Sequence, residues 1–205
     1  MPTTQEILGG LHSIVNKHYV LSIVWHILFY VLIAALIARW QPSNKLFALL
    51  ICIPVLSVAV MAWLSGNPFN GAVFTVSVIL LLIFGLKATD QSITYSQLPY
   101  LLAGIFMVLF GLVYPHFINP DSFLRYFYAS PVGLIPCPTL SILIGFILIF
   151  NGLSSQSITL TLIVLGLFYG IFGVLKLAVY LDIFLVIGTG ALIIKYLSSL
   201  RTSGI

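Results

Sequence analysis

Charge is almost missing from this chain. Its 205 residues include four carboxylates and eight lysines or arginines, 6% in all, where a soluble globular domain carries about a quarter. With 61% hydrophobic residues and a mean hydropathy of +1.20, a water-soluble fold is excluded. What remains is an all-α, polytopic membrane helix bundle whose first partner is the lipid bilayer. The net charge of +4 reflects scarce acids rather than a basic run, so nothing points to nucleic acid or to an acidic substrate.

Other absences narrow the chemistry. Two cysteines cannot build a disulfide framework, and they do not report a redox compartment. No G-x-S-x-G elbow, P-loop, H-E-x-x-H or C-x-x-C occurs. An enzyme is therefore not expected, nor is a resident cofactor. Haem ligation by His18, His26 or His116 lacks the facing pair that a bis-histidine site needs.

What is present is a series of long apolar runs. Seven segments, 19–39, 46–65, 71–88, 97–116, 135–151, 157–175 and 180–197, approach the roughly 20 residues that a helix needs to cross a bilayer. The breaks Gln41-Pro42-Ser43-Asn44, Ser65-Gly66-Asn67-Pro68, Thr89-Asp90-Gln91-Ser92 and Asn151 to Ser155 are rich in turn residues. Residues 157–197 are too long for one crossing and must fold back, with Lys176 and Asp182 marking the turn as an interfacial charge pair. The expected organisation is an N-terminal amphipathic helix over 1–18, one transmembrane bundle over 19–197 and a tail over 198–205.

The first eighteen residues lack the apolar core of a signal peptide. Thr3-Thr4-Gln5-Glu6 fits a capping box, and Ile7, Leu8, Leu11, Ile14 and Val15 form one stripe at helical spacing. This segment reads either as an interfacial helix covering a vestibule or as a lead-in to the first span. Seven spans place the termini on opposite sides. Lys17, Arg125 and Lys176 then fall on the N-terminal side, and Arg39, Lys45, Lys87, Lys195 and Arg201 on the other. The imbalance favours an external N-terminus and a cytoplasmic C-terminus in a bacterial inner membrane. The same topology gathers His12, His18, His26, His116, Tyr114, Asp121, Asp182 and the Pro136-Cys137-Pro138 element at the N-terminal face, where a polar vestibule is expected.

Cys137 stands between two prolines at the mouth of an apolar segment, where Pro136 and Pro138 remove two amide donors. Its thiol is a candidate ligand for a soft metal ion, with His26, His18 and His116 as possible imidazole partners; a small buried packing residue is the alternative. Cys52 belongs to the opposite face, on the order of 20 Å away, beyond the reach of a disulfide. His26 reads either as a titrating group or as a neutral hydrogen-bonded one. Pro54, Pro136, Pro138, Gly166 and Gly170 read as gating breaks or as packing positions. Leu-Ser-Ile recurs at 21–23 and 140–142, as a three-one-three repeat permease would place it.

Tyr114-Pro115, a short polar loop, and Pro131 to Thr139 ahead of a long apolar segment resemble an uncharacterised family of bacterial multi-pass membrane proteins, a domain of unknown function at times labelled as permeases. The family pattern implies a proline near the last turn, where Tyr180-Leu181-Asp182 has none. The resemblance implies a multi-pass bundle and lends no established activity. Two functions stand as expectations: a permease for a small solute or soft metal ion, and a noncatalytic accessory or assembly subunit, either of them in a homo-oligomer or a larger membrane complex.

Overall fold

A computed structural model describes residues 3–119, 123–151 and 155–202. Asp121 and residues 152–154 of the Asn151–Ser155 break lie outside the described residues. The described chain is helical, with isolated bridges at Ser43–Ser92 and Tyr95–Phe150. The order is α1 (Thr4–Lys17), α2 (Tyr19–Ile37), α3 (Asn44–Leu64), α4 (Pro68–Leu86), α5 (Leu98–Leu112), α6 (Arg125–Ala129), α7 (Pro136–Ile149), α8 (Gln156–Leu177) and α9 (Ile183–Thr202), with a 3-10 turn at Tyr180–Asp182.

Local chemistry sets the starts. The Thr3 and Glu6 side chains complete the capping box of α1. Ser43, Asn67 and Ser155 each accept an amide from the first turn of α3, α4 and α8. Five helices, α2, α3, α4, α8 and α9, are long and apolar enough to cross a membrane. The chain is thus an integral, multi-pass membrane protein. The other two apolar segments are shorter helices than the sequence predicted. The 15 residues of α5 and the 14 of α7 reach only about 22 and 21 Å, short of a hydrocarbon core of about 30 Å. Helix α5 stops at Leu112 because Pro115 disfavours helical backbone at Tyr114. Helix α7 starts at Pro136, whose ring suits the first helical position and holds the preceding Ile135 in extended backbone, φ −128° and ψ 159°.

Helix α7 is the post of the bundle. Twelve of its 14 residues are buried, and it touches α3, α5, α8 and α9. Against α5 the contact is backbone to backbone. A Cβ on Gly145 would lie 2.7 Å from the Gly104 carbonyl, one on Gly104 2.6 Å from the Gly145 carbonyl, and one on Gly111 2.6 Å from the Pro138 carbonyl. Helix α2, by contrast, stands at the periphery, only 28% buried over its span. The Leu-Ser-Ile copies thus occupy unlike positions, one peripheral and one central.

A buried non-helical stretch precedes α7. Residues 129–136 are all buried, although 130–135 lie outside any helix. The hydroxyl of Tyr30, eleven residues into α2 and so about 16 Å along it, donates to the Phe127 carbonyl. Ser57, about 10 Å from the end of α3, donates to the Gly133 carbonyl at 2.6 Å. The Trp25 indole donates to Ser57 Oγ at 3.0 Å and closes over Gly133, whose φ of +74° and lack of a Cβ this contact requires. Ser130 Oγ donates to the Gly111 carbonyl, and the Gly133 amide donates to Thr139 Oγ1. Backbone outside a helix at this depth persists only when protein surrounds it and pairs its polar groups.

Pro54 lies in an unbroken α3, and Gly166 and Gly170 in an unbroken α8, so none of the three interrupts its helix. Gly166 faces Thr189 and Gly170 faces Val186 of α9, as close-packing positions. Gly145→Val should cost about 1–3 kcal/mol of stability by overpacking α5 against α7. Gly190→Ala, whose Cβ meets nothing within 4 Å, should leave the unfolding midpoint in detergent unchanged. Equal midpoints for the two variants would show that the α5–α7 contact is not tight.

Candidate functional site

The turn after α8 has neither glycine nor proline. Ala178 takes the left-handed conformation, φ 55°, and the Val179 amide returns to the Gly173 carbonyl. The following 3-10 turn swings Asp182 inward until it is 2% exposed. Gly173 makes room for it, because a Cβ there would collide with Asp182 Oδ2. The expected pairing with Lys176 is not what the fold adopts. Lys176 is exposed on the outer face of α8, whereas Asp182 faces the bundle interior.

Two other groups meet the carboxylate instead. Tyr114, fully buried just beyond α5, donates its hydroxyl to Asp182 Oδ1 at 2.7 Å. Cys137, half-buried in the first turn of α7, donates Sγ–H to Oδ2 at 3.2 Å. Pro136 and Pro138 flank Cys137 and carry no amide hydrogen, so the thiol and the phenol supply the donors that the start of α7 lacks. Neither donor is cationic. Among the described residues no lysine or arginine meets the carboxylate, and a buried acid of that kind in a membrane bundle is a functional-site candidate on physical grounds.

Helix α1 covers this cluster. Ile14 and Val15 pack with Tyr114, Leu134, Ile135, Leu177 and Val179 in one apolar layer, and Cys137 borders it. The helix is tied at both ends. Thr4 Oγ1 donates to the Lys176 carbonyl at 3.2 Å, Asn16 Nδ2 to the Phe117 carbonyl at 2.9 Å, and His12 Nε2 meets Asn119 Oδ1 at 2.9 Å.

The histidines expected beside Cys137 are elsewhere. His18 forms the junction of α1 and α2. His26 is buried, its Nδ1 2.8 Å from the Ser22 carbonyl and its Nε2 2.9 Å from the Leu112 carbonyl, so it ties α2 to the end of α5. The His116 ring packs edge-on against Phe117. Among the described residues, no group of three His, Cys, Asp or Glu side chains could hold a metal. Cys52 is a free thiol donating to the Ala48 carbonyl within α3. Sequence reasoning placed Tyr114, Cys137 and Asp182 on one face without joining them. The usable signal was that Asp182 is the one acid set within the last long apolar run.

At the opposite end, Lys195 closes α7. Its ammonium lies 2.6 Å from Ser96 Oγ, 2.7 Å from the Ile147 carbonyl, and 3.1 Å from the carbonyls of Leu148 and Phe150. The segment 89–96 joins the same region, through Lys45 N to Thr89 O, Ile93 N to Pro42 O and Ser96 N to Ile149 O. Two surface grooves, about 620 and 440 Å³, are apolar and lateral, along α4 with α8 and along α8 alone.

No family model, no curated protein and no solved structure matches the chain. The functional reading therefore rests on the geometry.

Two outcomes follow from these contacts. Lys195→Met leaves buried carbonyls of α7 without a donor and should cost about 1–3 kcal/mol, read as a lower unfolding midpoint; an unchanged midpoint would remove the capping role. His116 is held below its ordinary value of 6.5, first by burial and second by its neighbour His12. Its folded form favours the neutral ring, so its stabilising contribution is complete above that value and is lost as the pH falls below it. Between about pH 8 and about pH 5, α1 should lose hydrogen-exchange protection beyond the intrinsic rate change. His116→Gln should flatten that profile, and a flat wild-type profile would count against the link.

Proposed function

We propose that the chain is a bacterial inner-membrane permease for a small solute, with seven crossing segments, an external N-terminus, and its substrate path opening at the N-terminal face. The observation that carries this reading is the meeting of a discontinuous segment with a buried, cation-free carboxylate. Residues 130–135 bring the start of α7 inside the bundle, and Asp182 lies against it. Carriers use such interrupted segments and intramembrane acids to bind and release a solute near the middle of the membrane. In this reading α5 and α7 complete their crossings with the extended residues that adjoin them, and α1 is the cover of the vestibule.

The chemistry of the mouth favours a cation. Asp182 is anionic when ionised, Pro136 and Pro138 offer no amide, and among the described residues no lysine or arginine donates to the carboxylate. The competing role is that of an accessory subunit, for which a packed apolar bundle suffices. Purified protein reconstituted in vesicles should take up a cationic solute, and Asp182→Asn should reduce uptake at least about tenfold, the loss expected when a buried charged ligand is removed. Stable co-purification of a larger complex, with no flux of any tested solute, defeats the permease reading in favour of the accessory one.

A further inference from the structure

We propose that the cleft between α4 and α8 binds an anionic phospholipid, with one acyl chain lying in the cleft and the phosphate at Lys87. The inference does not rest on the permease reading, since it concerns the lateral face of the bundle.

The two helices are closed on each other at one end and parted at the other. Near the start of α4 and the end of α8, the Tyr169 hydroxyl donates to Asn70 Oδ1 at 2.9 Å, and the Phe74 and Tyr169 rings meet with centroids 5.4 Å apart. Phe69 packs on Phe168 in the same layer. Towards the end of α4 and the start of α8 the groove of about 620 Å³ opens between them. It follows Val73, Ser77, Leu80 and Phe84 on α4 and Ser157, Thr161 and Val164 on α8, one stripe at helical spacing on each. Val76, Leu160 and Val164 are exposed along its rims, within two membrane spans, so the cleft faces sideways into lipid.

Its length fits one leaflet. The cleft runs from Ala72 to Phe84 along α4, about 18 Å, and from Ser157 to Leu165 along α8, about 12 Å. A hydrocarbon core is about 30 Å thick, so the cleft spans about half of it and ends blind at the Asn70–Tyr169 contact. A second crossing helix would need the whole thickness, whereas an acyl chain needs one leaflet. The walls select the same occupant. The Ser77 and Thr161 hydroxyls donate to the Val73 and Ser157 carbonyls of their own helices, at 2.7 and 2.8 Å, so their hydrogens are already used and the cleft presents an apolar lining.

Charge identifies the head group. Lys87 follows Phe84 by three residues and keeps helical backbone, φ −88° and ψ −6°, so it continues the α4 stripe past the mouth of the cleft. Among the described residues its ammonium enters no ion pair or hydrogen bond, and Asp90, three residues on, does not pair with it. Ser157, on the facing wall at the same mouth, stands in the first turn of α8, where the helix dipole also favours a negative group. An unpaired ammonium there distinguishes a net-negative head group from one that carries its own cation.

The test uses the detergent-solubilised full chain and a phosphatidylglycerol with a photoreactive diazirine in one acyl chain. After illumination, label should concentrate on residues 72–84 and 157–165, above the level on the exposed face of α2 from Val20 to Val31, the measure of ordinary lipid contact. Unlabelled phosphatidylglycerol should displace that label about fivefold more effectively than phosphatidylcholine with the same chains, the effect of about one cation on an anionic head group. Lys87→Gln should remove this preference, and Leu80→Trp, by filling the cleft, should bring its labelling down to the α2 level. Label spread evenly over α2, α4 and α8, or equal displacement by the two lipids, overturns the site. So does a preference that survives Lys87→Gln, or a disulfide-linked dimer of the Val164→Cys variant with the cleft unlabelled, which would make this face a contact between copies. The first two readings need no substitution, so a misfolded variant does not shield the proposal.

Discussion

Lipid offers no hydrogen-bond partner, so a helix that both starts and stops inside a membrane bundle must find partners for its freed backbone groups within the protein. Helix α7 is in that position at each end, and the rest of the architecture answers to it. At its start, the prolines at 136 and 138 remove donors that would otherwise be orphaned, and the stretch ahead of it is tied to Ser57, Gly111 and Thr139. At its end, one ammonium, that of Lys195, serves three carbonyls and a hydroxyl. Between the ends, glycines let α5 approach until backbone touches backbone.

The two ends differ in chemistry as well as in position. The Lys195 end is a cation surrounded by acceptors, with its donor needs met, and it reads as a structural clamp. The Asp182 end is an acid whose two donors among the described residues, a phenol and a thiol, are neutral. The same turn that buries this acid places Ala178 in a left-handed conformation and uses the missing side chain of Gly173 as the recess for the carboxylate. That turn thus accepts a left-handed residue and an omitted side chain in placing the acid under a tethered helix.

Helix α1 links that site to the surrounding medium. Its apolar stripe is the roof over Tyr114, and its polar residues make the tethers. Both ties use exposed or half-buried hydrogen bonds, which sets this element apart from the glycine-locked core.

From the sequence alone came the membrane class, the helical character, the approximate limits of the long spans and the capping box of α1. Each follows from local quantities: hydropathy over a window, spacing at 3.6 residues, and the side chain at a helix start. The shortening of α5 and α7 was legible only in part, because a proline marks where a helix breaks but not where the freed chain goes. Burial of residues 130–135, the Lys195 clamp and the separation of His18, His26 and His116 from Cys137 were decided by tertiary structure. So was the choice of partner for Asp182. By sequence Lys176 is six residues away and of opposite charge, whereas Tyr114 and Cys137 are 68 and 45 residues away. The left-handed turn at Ala178 points the two charges to different sides of the molecule. Sequence separation says nothing about such a rotation, and only the packed helices fix it.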